Sequence, residues 1–314
     1  MSKSIFSEPH FNDEAAAYAY VEARLWPDGR VCPHCGVVGQ SSAMKGKSTR
    51  IGLYKCYACR KPFSVKVGTI FEASHIAMRD WLTAIHLICS SKKGVSSNQL
   101  HRTLGITLKS AWFMSHRIRE AMREGALATP FGSTGGAVEA DETYIGRWRR
   151  KGEDERSHQH KMKVLTLIDR ESGKARSVVM GRINSVSVGR VVAKNVAREA
   201  RLMTDQSAVY NDVGREMADH QAVNHSKEEY RRGDAYTNTA EGFFSIFKRG
   251  MKGIYQHCDE KHLHRYLAEF DFRYSNRKAR GIEDKPRADL ALTGAAGKRL
   301  TYRTTRDDTF RPAV

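Results

Sequence analysis

The sequence predicts an α/β protein: a mixed sheet flanked by helices, preceded by a small cysteine-bearing unit and a helical unit. Three observations carry that reading. Four of the six cysteines form two close pairs near the amino end, Cys32 with Cys35 and Cys56 with Cys59. Apolar residues recur at helical spacing from Arg79 to Met122. Past the Gly- and Ser-rich run from Thr129 to Gly136, short strand-like segments alternate with helical ones, the signature of an α/β sheet.

Taken in order, Asn12 to Trp26 predicts a helix, with Asn12 as its cap, acids in the first turn and good helix formers behind them. Pro27, Asp28 and Gly29 end it. The cysteine unit follows to about Val67, rich in turn residues. Trp81, Ile85, Leu87 and Ile88 mark one helix, and Leu100, Leu104, Trp112 and Ile118 mark the next two, which meet at Gly105. Thr129 to Gly136 reads as a linker.

Strands are then expected over Ala137–Ile145, Lys163–Ile168 and Ala175–Met180, the last two flanking the turn Arg170-Glu171-Ser172-Gly173. Further on come a helix over Val188–Ala200, a strand over Arg201–Thr204, a helix over Ala208–Ala218, a short strand over Ala222–Asn224 and a helix from Thr239. Leu263–Tyr274 is amphipathic through Tyr266, Leu267 and Phe270, and is expected to close the sheet as a late core helix. The stretch between Gly146 and Lys161 is so polar that a mobile loop is expected there.

Charge narrows the partner. The 314 residues carry 53 Lys and Arg against 35 Asp and Glu, a net charge of +18. Before Pro130 there are 18 basic and 9 acidic residues, and from there on 35 and 26, so the excess is no single tail. A basic balance on both sides suits a polyanion. No apolar run approaches the ~18 residues of a membrane span, and the amino end lacks the apolar stretch of a secretion signal, so a cytoplasmic protein is expected.

In a reducing compartment, two CxxC knuckles separated by 20 residues point to one metal rather than to disulfides. Cys32, Cys35, Cys56 and Cys59 are the expected ligands of one structural Zn2+, since four thiolates fill a tetrahedral shell and leave no open position. Metal binding would supply much of the folding free energy of so small a unit. His34 reads as a bystander, and Cys89 and Cys258 as buried or partly buried thiols.

Ser96 to Trp112 has the form of a helix-turn-helix: a short capped helix, a turn at Gly105 and a second helix to about Met122. That helix is expected to present Thr107, Lys109, Ser110, His116, Arg117 and Arg119 to bases and phosphates. An ordinary helical hairpin is the competing reading. Three acids stand at element ends: Asp141 after an alternating stretch, Asp205 at the end of a strand and Glu241 at the start of a helix. Glu142, beside Asp141, faces the other way on a strand, and Asp212 reads as a solvated helix acid. A capping role beside Asn238 is the structural alternative for Glu241.

A first-strand Asp, a second Asp at a strand end and a helical Glu, with 35 residues between the last two, resemble the pattern of ribonuclease-H-like DDE transposases and retroviral-type integrases. More closely, VEADETYIGRWRR, LMTDQSAVY, VNHSKEEY and YTNTAEGFFSIFKRGMKGIYQHCDEKHLHRYLAEFDFRYSNR look like segments of bacterial insertion-sequence transposases that begin with a zinc ribbon, the group related to Merlin elements. FSVKVGTIFEASHIAMRDWLTAIHLICSSKKGVSSNQLHRTLGI resembles them too. Tyr236, where relatives often have His, and Phe244, where they often have Trp, depart from the pattern.

The resemblance implies a ribonuclease-H-like catalytic domain in which Asp141, Asp205 and Glu241 hold two Mg2+ (or Mn2+) ions. It places Lys248, two helical turns after Glu241, on a DNA phosphate, with Arg249 and Lys252 nearby as further DNA contacts. The implied reaction is cleavage at the ends of a mobile element and joining of the 3′ ends to target DNA. Double-stranded DNA is the implied partner, bound by a homodimer or larger multimer at the bacterial nucleoid. A domesticated transposase acting as a DNA-binding regulator, or a nuclease that cuts without joining, are the alternatives. The expected organisation is an N-terminal helix over 1–26, a zinc ribbon over 27–69, a helix-turn-helix region over 70–128, the catalytic domain over 129–285 and a C-terminal tail over 286–314.

Overall fold

The computed structural model describes residues 4–125, 128–146, 161–224, 229 and 231–301. The loop expected to be mobile, from 147 to 160, and residues 302–314 of the expected tail lie outside the described residues. The chain forms two compact units, one holding residues up to Arg123 and again from Ile282, the other Glu124–Gly281. No helix among the described residues is long and apolar enough to cross a membrane.

In the first unit, α1 (Glu14–Leu25) is capped by Asp13, whose carboxylate accepts from the Ala16 amide, one residue later than expected. Asn12 instead donates its side-chain amide to the Phe6 and Glu8 carbonyls. A three-stranded antiparallel sheet follows, β1 (Ser41–Ala43), β2 (Tyr54–Cys56) and β3 (Pro62–Phe63), with Ser41 opposite Cys56. Its core is Cys32, Cys56 and Phe63 with Trp26 and Tyr54 against them. So little apolar mass cannot hold a fold alone, which is why the cysteines matter there.

Next come α2 (Met78–Ser90), α3 (Ser97–Leu104) and α4 (Leu108–Met122). The last two are capped by Ser96 and Thr107. Gly105 between them has φ +65°, a left-handed conformation that glycine adopts without a Cβ penalty. The unit is completed from the far end of the chain. Helix α9 (Asp284–Thr293) buries Ala291 and Leu292, and its Asp289 accepts from Arg24 Nε at 2.6 Å and from the Tyr20 hydroxyl at 2.7 Å. Arg287 donates to the Cys89 carbonyl at 2.9 Å. The segment set apart in sequence as a tail from residue 286 is therefore, in its described part, a structural member of the first unit. Its polar, weakly periodic sequence hid this, because ion pairs and hydrogen bonds do much of the anchoring.

The second unit is built on a five-stranded mixed sheet: β4 (Ala137–Ile145), β5 (Met162–Asp169), β6 (Ala175–Met180), β7 (Arg201–Asp205) and β8 (Asp219–Val223), in the order β6-β5-β4-β7-β8. The first three form an antiparallel meander, while β7 and β8 run parallel to β4. A parallel return needs a crossover. Helix α5 (Ser185–Asn195) supplies it, packing Val188, Val191 and Val192 on Val138, Ala140, Leu165 and Leu167.

The opposite face is covered by α7 (Asn238–Gly250) and α8 (Glu260–Ser275), whose Phe243, Phe247, Leu263, Leu267 and Phe270 pack on Val164, Ile168 and Val179. This is the expected mixed sheet flanked by helices, with the late amphipathic helix in its core. Between β7 and β8 the chain is less helical than its sequence suggests. A 3-10 turn, Ala208–Tyr210, leads into α6 (Asn211–Gly214), which stops at Gly214. A Cβ there would meet the His220 ring at 2.1 Å, so the helix gives way where β8 approaches.

Candidate active site

The four knuckle cysteines converge within the first unit. Cys32 Sγ lies 3.7 Å from Cys59 Sγ, Cys35 Sγ lies 3.7 Å from Cys56 Sγ, and all four sulfurs lie within 4.8 Å of one another. A tetrahedron with bonds of about 2.3 Å has edges of about 3.8 Å, so spacing and donor set both fit a structural zinc. The Cys59 backbone amide beside Cys56 draws its thiol down, toward the thiolate that binds metal. His34 turns away, its ring nitrogen 3.2 Å from the Pro62 carbonyl.

In the second unit the sheet order decides which acids lie on neighbouring strands. Strands β4 and β7 are parallel neighbours, paired Ala137 with Arg201 and Glu139 with Met203. Asp141 and Asp205 each lie two residues beyond that last pair, on neighbouring strands running the same way. Both belong to the face covered by Ala235 and the helix behind it, as Ala137 and Met203 do. Helix α7 crosses that face, and Glu241 stands in its first turn.

The charges register one another. Burial pushes the Asp141 carboxyl up to about 8, and the negative charges of Glu142, Asp205 and Glu241 push the same way. Such a group of carboxylates is suited to a hard divalent metal with oxygen ligands. Asp205 is oriented by its own loop, its Oδ1 accepting from the Ser207 amide at 3.1 Å.

Glu142 points to the opposite face, where it accepts from the Tyr210 hydroxyl, and the Tyr210 side chain is fully buried. Burial raises its carboxyl too, with Asp205 adding to the rise. Asp212 is exposed and lies 3.6 Å from Arg215, a solvated acid as expected. The capping box weighed for Asn238 and Glu241 is not how α7 begins: Thr237 is the cap position, and the third helical amide, of Ala240, donates to Glu139. Glu139 went unnoticed in sequence. The available signal was a lone acid inside the otherwise apolar stretch Ala137-Val138-Glu139-Ala140, on the same strand face as Asp141.

The basic residues divide. Lys109 is exposed in the first turn of α4, beside exposed Thr107 and Leu108. Arg249 and Lys252 are exposed at the end of α7 and in the π-turn Met251–Tyr255 after it, and Lys248 is half-buried. Arg117 and Arg119 correct the expectation of an outward DNA-reading face, being only 5% and 1% exposed, with His116 at 0%. Every residue from Met114 to Arg119 is buried, so this half of α4 has no outer side. Arg117 donates to the Glu72 carbonyl, its guanidinium lies 5.2 Å from the Phe113 ring centre, and burial lowers its pKa to about 10. Arg119 donates to Ser115 Oγ at 3.0 Å. Both serve packing inside the unit.

Comparison with known proteins agrees with this division. Residues 12–62 match the transposase zinc-ribbon domain, and residues 134–275 match the ISXO2-like transposase domain. An uncharacterized protein in transposable element ISH50 of Halobacterium salinarum is 25% identical over 263 residues, covering 79% of this chain and 86% of that protein. The four-cysteine cluster falls within the first match and the acid-bearing sheet within the second, so in both parts the chain is similar to transposases that carry these domains.

Proposed function

We propose that this chain is a DDE transposase that binds the terminal repeats of its element, cuts the DNA at the element ends and joins the freed 3′ ends to target DNA. The observation that supports the reading is the placement of Asp141 within β4 and Asp205 at the end of the parallel neighbour β7, with Glu241 in the first turn of α7 and the charges of Asp205 and Glu241 felt at Asp141. Asp141, Asp205 and Glu241 would hold two Mg2+ or Mn2+ ions. When bound, these supply a nucleophile at neutral pH and stabilise the leaving oxygen in phosphodiester cleavage and transfer.

The protein's own part is placement. Asp141 is held half-buried, while Glu241 is exposed at the mouth of the site. Lys248 lies two turns along the same helix, close to the direction of Glu241, where it can take a phosphate oxygen. Arg249 and Lys252 extend that cationic edge along the duplex. In the first unit the amino end of α4, with exposed Thr107 and Lys109, is the part of the helix-turn-helix that would meet base edges and phosphates. The protein acts in the cytoplasm, at the nucleoid, as a dimer or larger multimer on paired ends.

A labelled element end tests this directly. Incubated with the protein, Mg2+ and a target duplex, it should yield both a cleaved end and a joined product. Cleavage without joining would make the protein a nuclease, and specific binding with neither product would make it a regulator.

A further inference from the structure

The acid that lies deepest beneath this site is not one of the three. Glu139 sits on β4 two residues before Asp141, on the same face, with its side chain wholly buried. A buried carboxylate is costly unless fully paired, and an apolar residue in a core strand would avoid that cost. Glu139 is paired twice. One oxygen accepts from Arg170 Nε at 2.7 Å, and the other accepts from the backbone amide of Ala240 at 3.0 Å. Ala240 immediately precedes Glu241, and its amide is among those that an α-helix leaves without an internal partner at its amino end. A carboxylate is also the favoured charge at that end of a helix.

Arg170 carries the connection further. Its two terminal nitrogens donate to the Asp234 carbonyl at 2.8 Å and to the Tyr236 carbonyl at 2.7 Å, and its guanidinium lies 3.5 Å from the Tyr236 ring centre. The segment from Asp234 to Thr237 leads directly into α7. Asp234 in turn accepts from Arg201 at 2.6 Å, and Arg201 opens the strand that ends in Asp205. One network therefore joins the strand of Asp141, the strand of Asp205 and the helix of Glu241. Tyr236, a departure from the usual residue at its position, is part of that network.

We infer that Glu139 is a positioning residue for the carboxylate site: with Arg170 it pins the amino end of α7 to β4 and so sets Glu241 against Asp141. The inference rests on the metal-binding reading of those acids. Groups that hold metal ligands in place typically change metal affinity by about 10- to 100-fold when removed. A residue that only supports the fold would lower the amount of active protein and leave the affinity of the surviving molecules unchanged.

The full-length, zinc-loaded chain provides the test, with Mn2+ as probe, its free concentration followed by electron paramagnetic resonance, and the Mg2+ dependence of end cleavage measured beside it. Glu139→Gln keeps the size of the side chain and loses its charge, while Arg170→Lys keeps the charge and loses the fork that reaches the Asp234 and Tyr236 carbonyls. Each should weaken Mn2+ binding by about tenfold and raise the half-saturating Mg2+ by a similar factor, with element-end affinity within about twofold of the parent. If Glu139→Gln does not fold, the milder Arg170→Lys carries the test. Folded variants that bind Mn2+ like the parent, with any loss confined to the maximal rate, overturn the inference. Asp205→Asn run in parallel separates the two levels: parental Mn2+ affinity in that variant overturns the metal-site reading itself, and the inference with it.

Discussion

The thiol cluster and the carboxylate cluster of this chain are assembled by opposite routes. Each pair of zinc-ribbon thiols lies within four residues of sequence, and a small three-stranded sheet brings the two pairs together. The three carboxylates come from two strands and a helix spread over about a hundred residues, and Asp141 and Asp205 lie on neighbouring strands because β7 is inserted beside β4 rather than at an edge. The thiolate cluster is closed, and its metal stabilises a unit with almost no core. The carboxylate cluster is built on a sheet with apolar cores on both faces, so the fold there does not need a metal, and the neighbouring acids push the Asp141 carboxyl up.

That contrast can be broken most decisively at Asp205. Asp205→Asn retains size and removes charge, and cleavage and joining should both fall by about a thousandfold or more, with element-end binding preserved. Normal cleavage in this variant, with loss in Asp212→Asn instead, would show that the wrong aspartate has been placed in the site. Glu142→Gln, on the far face of the same strand, should retain most activity.

The next largest effect is expected in the first unit. Cys56→Ser should release the zinc, measured as metal per chain by atomic absorption, and unfold the ribbon while leaving the second unit's thermal transition in place. A zinc-free chain with an intact ribbon would remove the contrast altogether.

A pH series sharpens it further. The Asp141 carboxyl titrates near 8 in the folded, metal-free protein against 3.8 for the free side chain. The folded state thus holds this proton more tightly than the unfolded one. Its contribution to stability is complete at acidic pH and is lost as pH rises from about 4 to about 8. Buried Asp271, raised to about 7, acts in the same direction. Melting of the metal-free second unit should therefore fall across that window, and the stabilisation by added Mg2+ should grow across it, because metal replaces the proton. Asp141→Asn should flatten part of the decline. A stabilisation by Mg2+ that is independent of pH would count against this carboxylate as a ligand.

The smallest effects separate the two halves of α4. Lys109→Ala should weaken element-end binding severalfold and reduce its salt dependence by about one unit of slope, without altering the melting temperature. Arg117→Ala should do the reverse, lowering stability by about 1–3 kcal/mol through a buried carbonyl left without its donor. A loss of DNA affinity in Arg117→Ala at unchanged stability would return that residue to the DNA-reading face.

Much of this was legible in the chain before any coordinates. The zinc ligands follow from spacing, because each knuckle is a local turn whose geometry its own residues dictate. Strand alternation placed β4 and β6 at their observed bounds, and short capping residues with Gly105 marked the turn between α3 and α4, since these signals also act over a few residues. Asp205 and Glu241 could be assigned to element ends for the same reason, whereas Asp141, read as the end of an alternating stretch, lies mid-strand in β4, which runs on to Ile145. The proximity of these acids could not be assigned, because it depends on which strand lies beside which. Burial of Arg117 and Arg119 likewise escaped the helical pattern: spacing orients a side chain about its own axis and says nothing of how many neighbours enclose it. Glu139 looked like an irregularity in an apolar strand until Arg170 and the amide of Ala240 were brought to it from 31 and 101 residues away. The sequence by itself determined the local elements and the chemistry each one carries; only the tertiary structure decided which of those chemistries touch, because contact between distant segments is settled by sheet order and the packing of whole faces.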